Sequence, residues 1–225
     1  KGTRYLLITD PEASRTTVSL QINDREPDRR ARDLDYYRDA FVTALMNTMM
    51  NNRFSELVQK GTPPFIAGAL SYSSDLPRNY NALTLAAYTN EGEEAKGFEA
   101  ALTELERARR HGFTKGELER AKATMLSNFE NQYKQRDKIS NDDWAARIQD
   151  HFLTGEPIPS MDMQYDYYKT IPPTITVEEV TARLRELVSD DNRFIIVQGP
   201  DDKQHLTEAE VLAIMAKMAA ADIKP

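Results

Sequence analysis

The chain offers three imidazoles, His111, His151 and His205, and 36 carboxylates as raw material for metal or acid–base chemistry. A hydrolytic zinc site sets two histidines about one helical turn apart, with a glutamate beside them as base. No two of these histidines lie within helical reach, and no carboxylate–histidine spacing of that type surrounds them. His111 precedes Gly112 at a predicted helix end, where a cation suits the dipole. His151 follows Trp144 on a predicted helix, with a spacing that lets it face the core. His205 stands among aspartate, lysine and glutamine and is expected to be solvated. Nucleophilic chemistry has no better support. The chain lacks cysteine and any Gly-x-Ser-x-Gly elbow, and isolated serines, histidines and acids do not make a triad. Its nine glycines are scattered singly, so no phosphate-cradling loop forms. The expectation is therefore no catalytic residue, no metal ligand and no cofactor in this segment.

Charge narrows the partners. The net charge is −7 and the sequence pI about 5.1, which repels phosphate backbones and anionic membrane surfaces, so neither nucleic acid nor membrane is expected. No apolar run approaches the roughly 18 residues of a membrane span. Glu91, Glu93 and Glu94 open one predicted helix and Arg107, Arg109 and Arg110 close it, the order that suits the helix dipole. The run Tyr165, Tyr167 and Tyr168 has the composition of a peptide-contacting patch. The favoured reading is a helix that packs two of the three rings.

These residues need elements to hold them. Strands are expected over Arg4–Thr9 and Thr16–Asn23, where Val18, Leu20 and Ile22 alternate with polar residues. A charged loop containing Pro27 follows. A helix is expected from Leu34 to Gln59, with a bend at Asn51-Asn52 and a stop at Gly61 and Pro63-Pro64. Two more strands, Phe65–Ser73 and Ala82–Thr89, flank a turn over Asp75–Asn79 with Pro77. Capping boxes at Thr114–Glu117, Thr176–Glu179 and Thr207–Glu210, and a weaker one at Ser140–Asp143, start helices. The Ser140 box leads into Trp144, Ile148 and Phe152 at helical spacing. Arg193–Val197 is a last, strongly apolar strand ended by Gly199-Pro200. Strand runs segregated from amphipathic helices predict an α+β fold: a mixed or antiparallel sheet with helices mainly on one face. No repeat or linker divides the chain, so residues 1–225 are expected to be one domain. Lys1 opens almost directly onto a strand, and the tail from Ala219 to Pro225 fades without a stop. Both ends suggest a segment cut from a longer chain.

Several segments, in order, resemble a bacterial subgroup of the insulinase/pitrilysin zinc metallopeptidases. Asp10-Pro11-Glu12-Ala13 with its following strand resembles the start of a post-catalytic domain. Asn52-Arg53-Phe54-Ser55-Glu56-Leu57, before Gly61, is similar to the family's Arg-Leu-x-x-Glu-Leu helix end. Gly112-Phe113-Thr114-Lys115-Gly116-Glu117-Leu118-Glu119-Arg120-Ala121-Lys122 resembles its Gly-hydrophobic-Thr-x-x-Glu-Leu-x-x-Ala-Lys element. Asn192-Arg193-Phe194-Ile195-Ile196-Val197 looks like its closing strand.

The resemblance implies paired α+β domains that close around a peptide chamber, with zinc bound by an inverted His-x-x-Glu-His motif in one of them. This sequence has no such motif, so zinc is expected only in the catalytic domain of the parent chain. An arginine and a tyrosine that hold substrate in another domain of the family align with Val58 and Phe65, so both polar groups are absent. What the resemblance implies is thus a non-catalytic domain of a zinc endopeptidase, packing beside a catalytic domain and helping form the chamber, in the periplasm or another extracytoplasmic space. The alternative is a scaffold domain from a family member that has lost catalysis.

Overall fold

The computed structural model describes residues 2–25, 31–73 and 80–225. The expected loop around Pro27 and the turn over 75–79 with Pro77 lie outside the described residues. In chain order the elements are β1 (Thr3–Thr9), β2 (Thr16–Arg25), α1 (Leu34–Val58), β3 (Ala67–Ser73), β4 (Tyr80–Thr89), α2 (Glu94–His111) and α3 (Lys115–Lys134), followed by α4 (Asn141–Thr154), α5 (Met161–Thr170), α6 (Val177–Leu187), β5 (Arg193–Gly199) and α7 (Glu208–Ala220). The strands form a mixed sheet in the order β1-β5-β2-β4-β3, in which only β1 and β5 run parallel. The fold is α+β, as the segregation of strand and helix patterns predicts.

Register explains the alternation in the sequence. Leu70, Leu85, Leu20 and Ile195 stand opposite one another from β3 through to β5, and Tyr5 continues the row on β1. All four aliphatic members are at most 3% exposed, beneath α1 and α2. A side-chain period of two makes this face uniformly apolar, and burying it drives the sheet against the helices. Phe41, Leu45, Met46, Met49, Met50 and Phe54 of α1 supply the opposing surface.

All four expected capping boxes are complete, at Thr114/Glu117, Ser140/Asp143, Thr176/Glu179 and Thr207/Glu210. Each satisfies two orphan amides with residues three apart, which is why so local a signal is readable. At Asn51-Asn52, where a bend is expected, α1 runs on unbroken. Asn51 faces β3 instead: its Oδ1 accepts from the Leu70 amide and its Nδ2 donates to the Leu70 carbonyl, both at 2.9 Å. One turn earlier, Asn47 Oδ1 accepts from the Tyr72 amide at 3.2 Å. These two side chains close the outer edge of β3.

At the other sheet edge no described strand pairs with the outer side of β1. β1 pairs only with β5, and its Leu6, Leu7 and Ile8 are 49%, 44% and 38% exposed. A second surface of this kind is α4, which begins on its capping box, ends on left-handed Gly155 (φ 75°) and buries no residue at all. Its stripe Trp144, Ile148 and Phe152 is 41%, 58% and 86% exposed.

Candidate functional site

The two motifs that resemble family elements meet in space. Arg53, near the end of α1, reaches the capping box of α3: its Nε and Nη2 bond the Glu117 carboxylate at 2.5 and 3.1 Å. Nη2 also donates to the Gly112 carbonyl at 3.1 Å, and Nη1 to Glu104 of α2 at 3.2 Å. The guanidinium lies over the Phe113 ring, 5.0 Å from its centroid. Glu117 accepts from the Thr114 amide and hydroxyl as well, at 2.7 and 2.9 Å, and Arg107 bonds the second oxygen of Glu104. Burial by itself would raise the Glu117 carboxyl; the bonds from Arg53 and Thr114 outweigh it and hold the group below the ordinary glutamate range. Arg53 is pushed the other way, upward, because its two carboxylate partners outweigh its own burial. Every charged side chain of this cluster has a hydrogen-bonded partner of opposite charge within it. It clasps three helices together, and its spacing in sequence carries no sign of that.

The three histidines are dispersed and individually engaged. His111 Nε2 donates to the Ile223 carbonyl at 2.7 Å, at the end of α2 as expected, so it ties down the C-terminal tail. His151 does not face the core: it is exposed, with Nδ1 2.8 Å from the Glu156 carbonyl oxygen. His205 is not solvated either. Its side chain is 2% exposed, with Nε2 donating to the Pro200 carbonyl at 2.7 Å and Nδ1 3.6 Å from the Glu94 carboxylate. Polar neighbours in sequence misled here, because the segment after β5 folds under the β4–α2 turn, where Lys203 also meets Glu91 at 3.3 Å. Among the described residues no group of three or more His, Asp or Glu could hold a metal ion. The described residues do not fit a zinc centre. After dialysis against a weak chelator, the chain is expected to retain well under one zinc per molecule by metal analysis; about one tightly held zinc would overturn this reading.

Val58 is the last residue of α1 and is half-buried against the core, while Phe65 is 2% exposed and meets Phe54 edge-on at 6.1 Å. Of the three tyrosines, Tyr168 stacks on Phe129 at 4.0 Å, Tyr165 on Tyr133 at 4.6 Å, and Tyr167 tilts against Tyr37 at 4.8 Å. All three rings pack within the chain, one more than expected. Arg109 and Arg110 bond Glu106, and Arg110 also caps the carbonyls of Met218, Ala219 and Ala221 behind α7. Their role extends beyond the dipole of their own helix.

The family description Peptidase M16 inactive domain matches residues 2–125, more than half of the chain. The chain belongs to the peptidase M16 inactive domain family. It is 22% identical over 219 residues to the probable zinc protease PqqL of Escherichia coli K12, a match covering 96% of this chain and 23% of that protein. It is 23% identical over 179 residues to a zinc protease PQQL-like protein of Arabidopsis thaliana, covering 80% of this chain and 16% of the relative. The chain therefore spans less than a quarter of the curated relatives it matches. Among solved structures, the first half of the periplasmic protease PqqL from E. coli superposes with a TM-score of 0.88 at 20% identity, over 99% of this chain and 48% of that one. That likeness covers all five strands and the helices over them, so the M16 fold extends well past residue 125, where the family match stops.

Proposed function

We propose that residues 1–225 form one non-catalytic unit of a longer zinc metalloendopeptidase, packing beside its catalytic domain and helping wall a peptide chamber. On this reading the zinc and the attacking water belong to the catalytic domain, and the whole protein acts outside the cytoplasm, as the periplasmic PqqL does. This segment contributes position rather than chemistry, since a peptide must be held still against the metal-bound water.

The observation that carries the docking is α4. A helix of 14 residues has little stability of its own in water, and packing of an apolar face is what normally holds one. Here that face, Trp144, Ile148 and Phe152, is 41%, 58% and 86% exposed, and the helix buries none of its residues. Inter-domain faces bury roughly 600–1,500 Å², which a stripe of three large side chains and its surroundings can supply.

Trp144→Gln, Ile148→Gln and Phe152→Gln together are expected to leave the isolated chain's melting temperature nearly unchanged, because exposed substitutions stay within about 0.5 kcal/mol. In the complete polypeptide the same triple variant is expected to lose at least about tenfold in peptide hydrolysis, as a misplaced wall does. The catalytic half, supplied separately, should bind the wild-type chain more tightly than the variant in analytical ultracentrifugation. Full activity of the triple variant, with unchanged association at high micromolar concentration, would refute the docking role of α4.

A further inference from the structure

Inside the fold, one imidazole nitrogen faces a group that it cannot bond. His205 lies on the connection from β5 to α7, with its side chain 2% exposed. Its Nε2 is 2.7 Å from the Pro200 carbonyl, which can only accept, so Nε2 carries a proton in either charge state of the ring. In the neutral ring Nδ1 is then a bare lone pair. Nδ1 has no hydrogen-bond partner among the described residues, and the Glu94 carboxylate opposite it, at 3.6 Å, is another acceptor. The Glu94 side chain is 7% exposed and has no other ion-pair partner among the described residues. The Gly199 backbone lies against the ring, so close that a Cβ there would come within 2.5 Å of His205 Cε1 and 3.2 Å of Nδ1. Thr16 Oγ1 of β2 also borders Gly199 and makes no bond to Nδ1. A buried carboxylate without a cation, set against a bare lone pair, is unfavourable for both groups. One proton on Nδ1 resolves both, because it turns two facing acceptors into an imidazolium–carboxylate pair.

We propose that His205 and Glu94 form a proton-operated latch, which ties the β5–α7 connection to the first turn of α2 when Nδ1 is protonated and loosens when that proton returns to water. The other charges at the site do not replace the proton. Lys203, on the same connection, pairs with Glu91 of the β4–α2 turn at 3.3 Å and with Asp202 at 3.7 Å. From β2 the ring meets only the uncharged Thr16, and from the end of β5 only the Gly199 backbone and the Pro200 carbonyl. The latch bears on α7, which starts at Glu208, three residues after His205, and packs against α2. Its sign is set by where the proton is held. The latched chain holds a proton at neutral pH, whereas an unfolded chain releases its histidine protons near pH 6.5, at about the ordinary value. Folding therefore takes up a proton, and the latch's contribution is fully present in mild acid and is lost as pH rises. None of this depends on the protease reading or on α4.

Glu94→Gln separates the latch from ordinary packing. A glutamine amide can donate to Nδ1 of the neutral ring, so it supplies the missing bond without a proton and leaves the Nε2 bond to Pro200 in place. Urea unfolding of the full 225-residue chain is followed at about pH 6 and about pH 8.5 for wild type and variant. Between the two, the wild-type unfolding constant is expected to rise at least about tenfold more than the variant's, since one proton corresponds to tenfold per pH unit. Nitrogen-15 NMR of the His205 ring needs no substitution. In wild type both ring nitrogens should carry protons at about pH 6, and Nδ1 alone should lose its proton as pH rises. Once it does, the amides from Asp201 to Thr207 should exchange at least about tenfold faster relative to their intrinsic rates. The proposal is overturned by equal pH dependence of unfolding in the two proteins, by an Nδ1 without a proton in the folded chain at about pH 6, or by protection of 201–207 that does not change as the ring titrates. If Glu94→Gln fails to fold, the two wild-type NMR measurements decide.

Discussion

Replacing Arg53 with methionine is expected to lower stability by about 3–5 kcal/mol, the range for removing one partner from a buried ion network. The relevant exposures are 14% for Arg53, 6% for Glu104 and 15% for Glu117, well below those of surface pairs whose loss is barely measurable. For a chain of this size that corresponds to a melting temperature lower by roughly 10 °C. The pH dependence has a defined sign. Glu117 is depressed in the folded state, so its contribution is fully present above the ordinary glutamate value of 4.5 and is lost as pH falls through its lower folded value. The gap between wild type and variant should therefore be widest near neutrality and narrow in acid, below about pH 4. Urea unfolding at several pH values reads both quantities. Replacing Glu104 and Glu117 with glutamine in the Arg53→Met background should recover part of the loss, because no uncompensated carboxylate then stays buried. A loss under about 1 kcal/mol, or a gap constant down to pH 3, would reduce the clasp to a bystander.

Arg53 also marks where the sequence stops being legible. The capping boxes, the alternation along β2 and the helical stripe of α1 are signals within a few residues, and each became the element expected. The clasp joins Arg53 to Glu104, Gly112 and Glu117 across 51 to 64 positions, and no local pattern encodes such a distance. The same holds for Asn47 and Asn51. An adjacent asparagine pair inside a helical pattern suggests a bend, because asparagine competes with the helix for backbone bonds. Here Asn51 satisfies β3 as well as its own helix, donating to the Asn47 carbonyl at 2.8 Å. Glu94 shows the limit for single charges. Its place at a helix start was readable, but not that its carboxylate would be 7% exposed beside His205. The stripe on α4 was legible as a stripe, and nothing in the sequence said that it would face outward.

Phe54→Ala is expected to cost about 3–5 kcal/mol, and Gly68→Ala about 1–3, yet the two together should cost less than their sum. Phe54 is 0% exposed at the end of α1, edge-on to Phe65, and the rings press onto the β3 backbone at Gly68. A Cβ built on Gly68 would lie 2.9 Å from Phe65 Cζ and 3.0 Å from Phe54 Cγ and Cδ1, closer than any ordinary contact. Alone, that methyl must push two buried rings aside. Once the Phe54 ring is gone, the methyl projects into the space it vacated and refills part of the cavity. A coupling of at least about 1 kcal/mol is the expected reading of the four-protein urea cycle, since the sites touch. Strict additivity would mean that α1 and β3 do not bear on each other through these rings. Phe65→Ala belongs in the same series, because the expectation drawn from the family resemblance, that a substrate-holding tyrosine of the family stands at this position, depends on which way the ring points. A ring turned toward substrate could be truncated with little loss of stability. A ring in the core should cost about as much as Phe54, in the 3–5 kcal/mol range. Phe65→Tyr should also destabilise, by about 1–3 kcal/mol, because the new hydroxyl would be desolvated where the phenylalanine ring now packs. Loss on both substitutions makes the position part of the packing that holds β3 against α1.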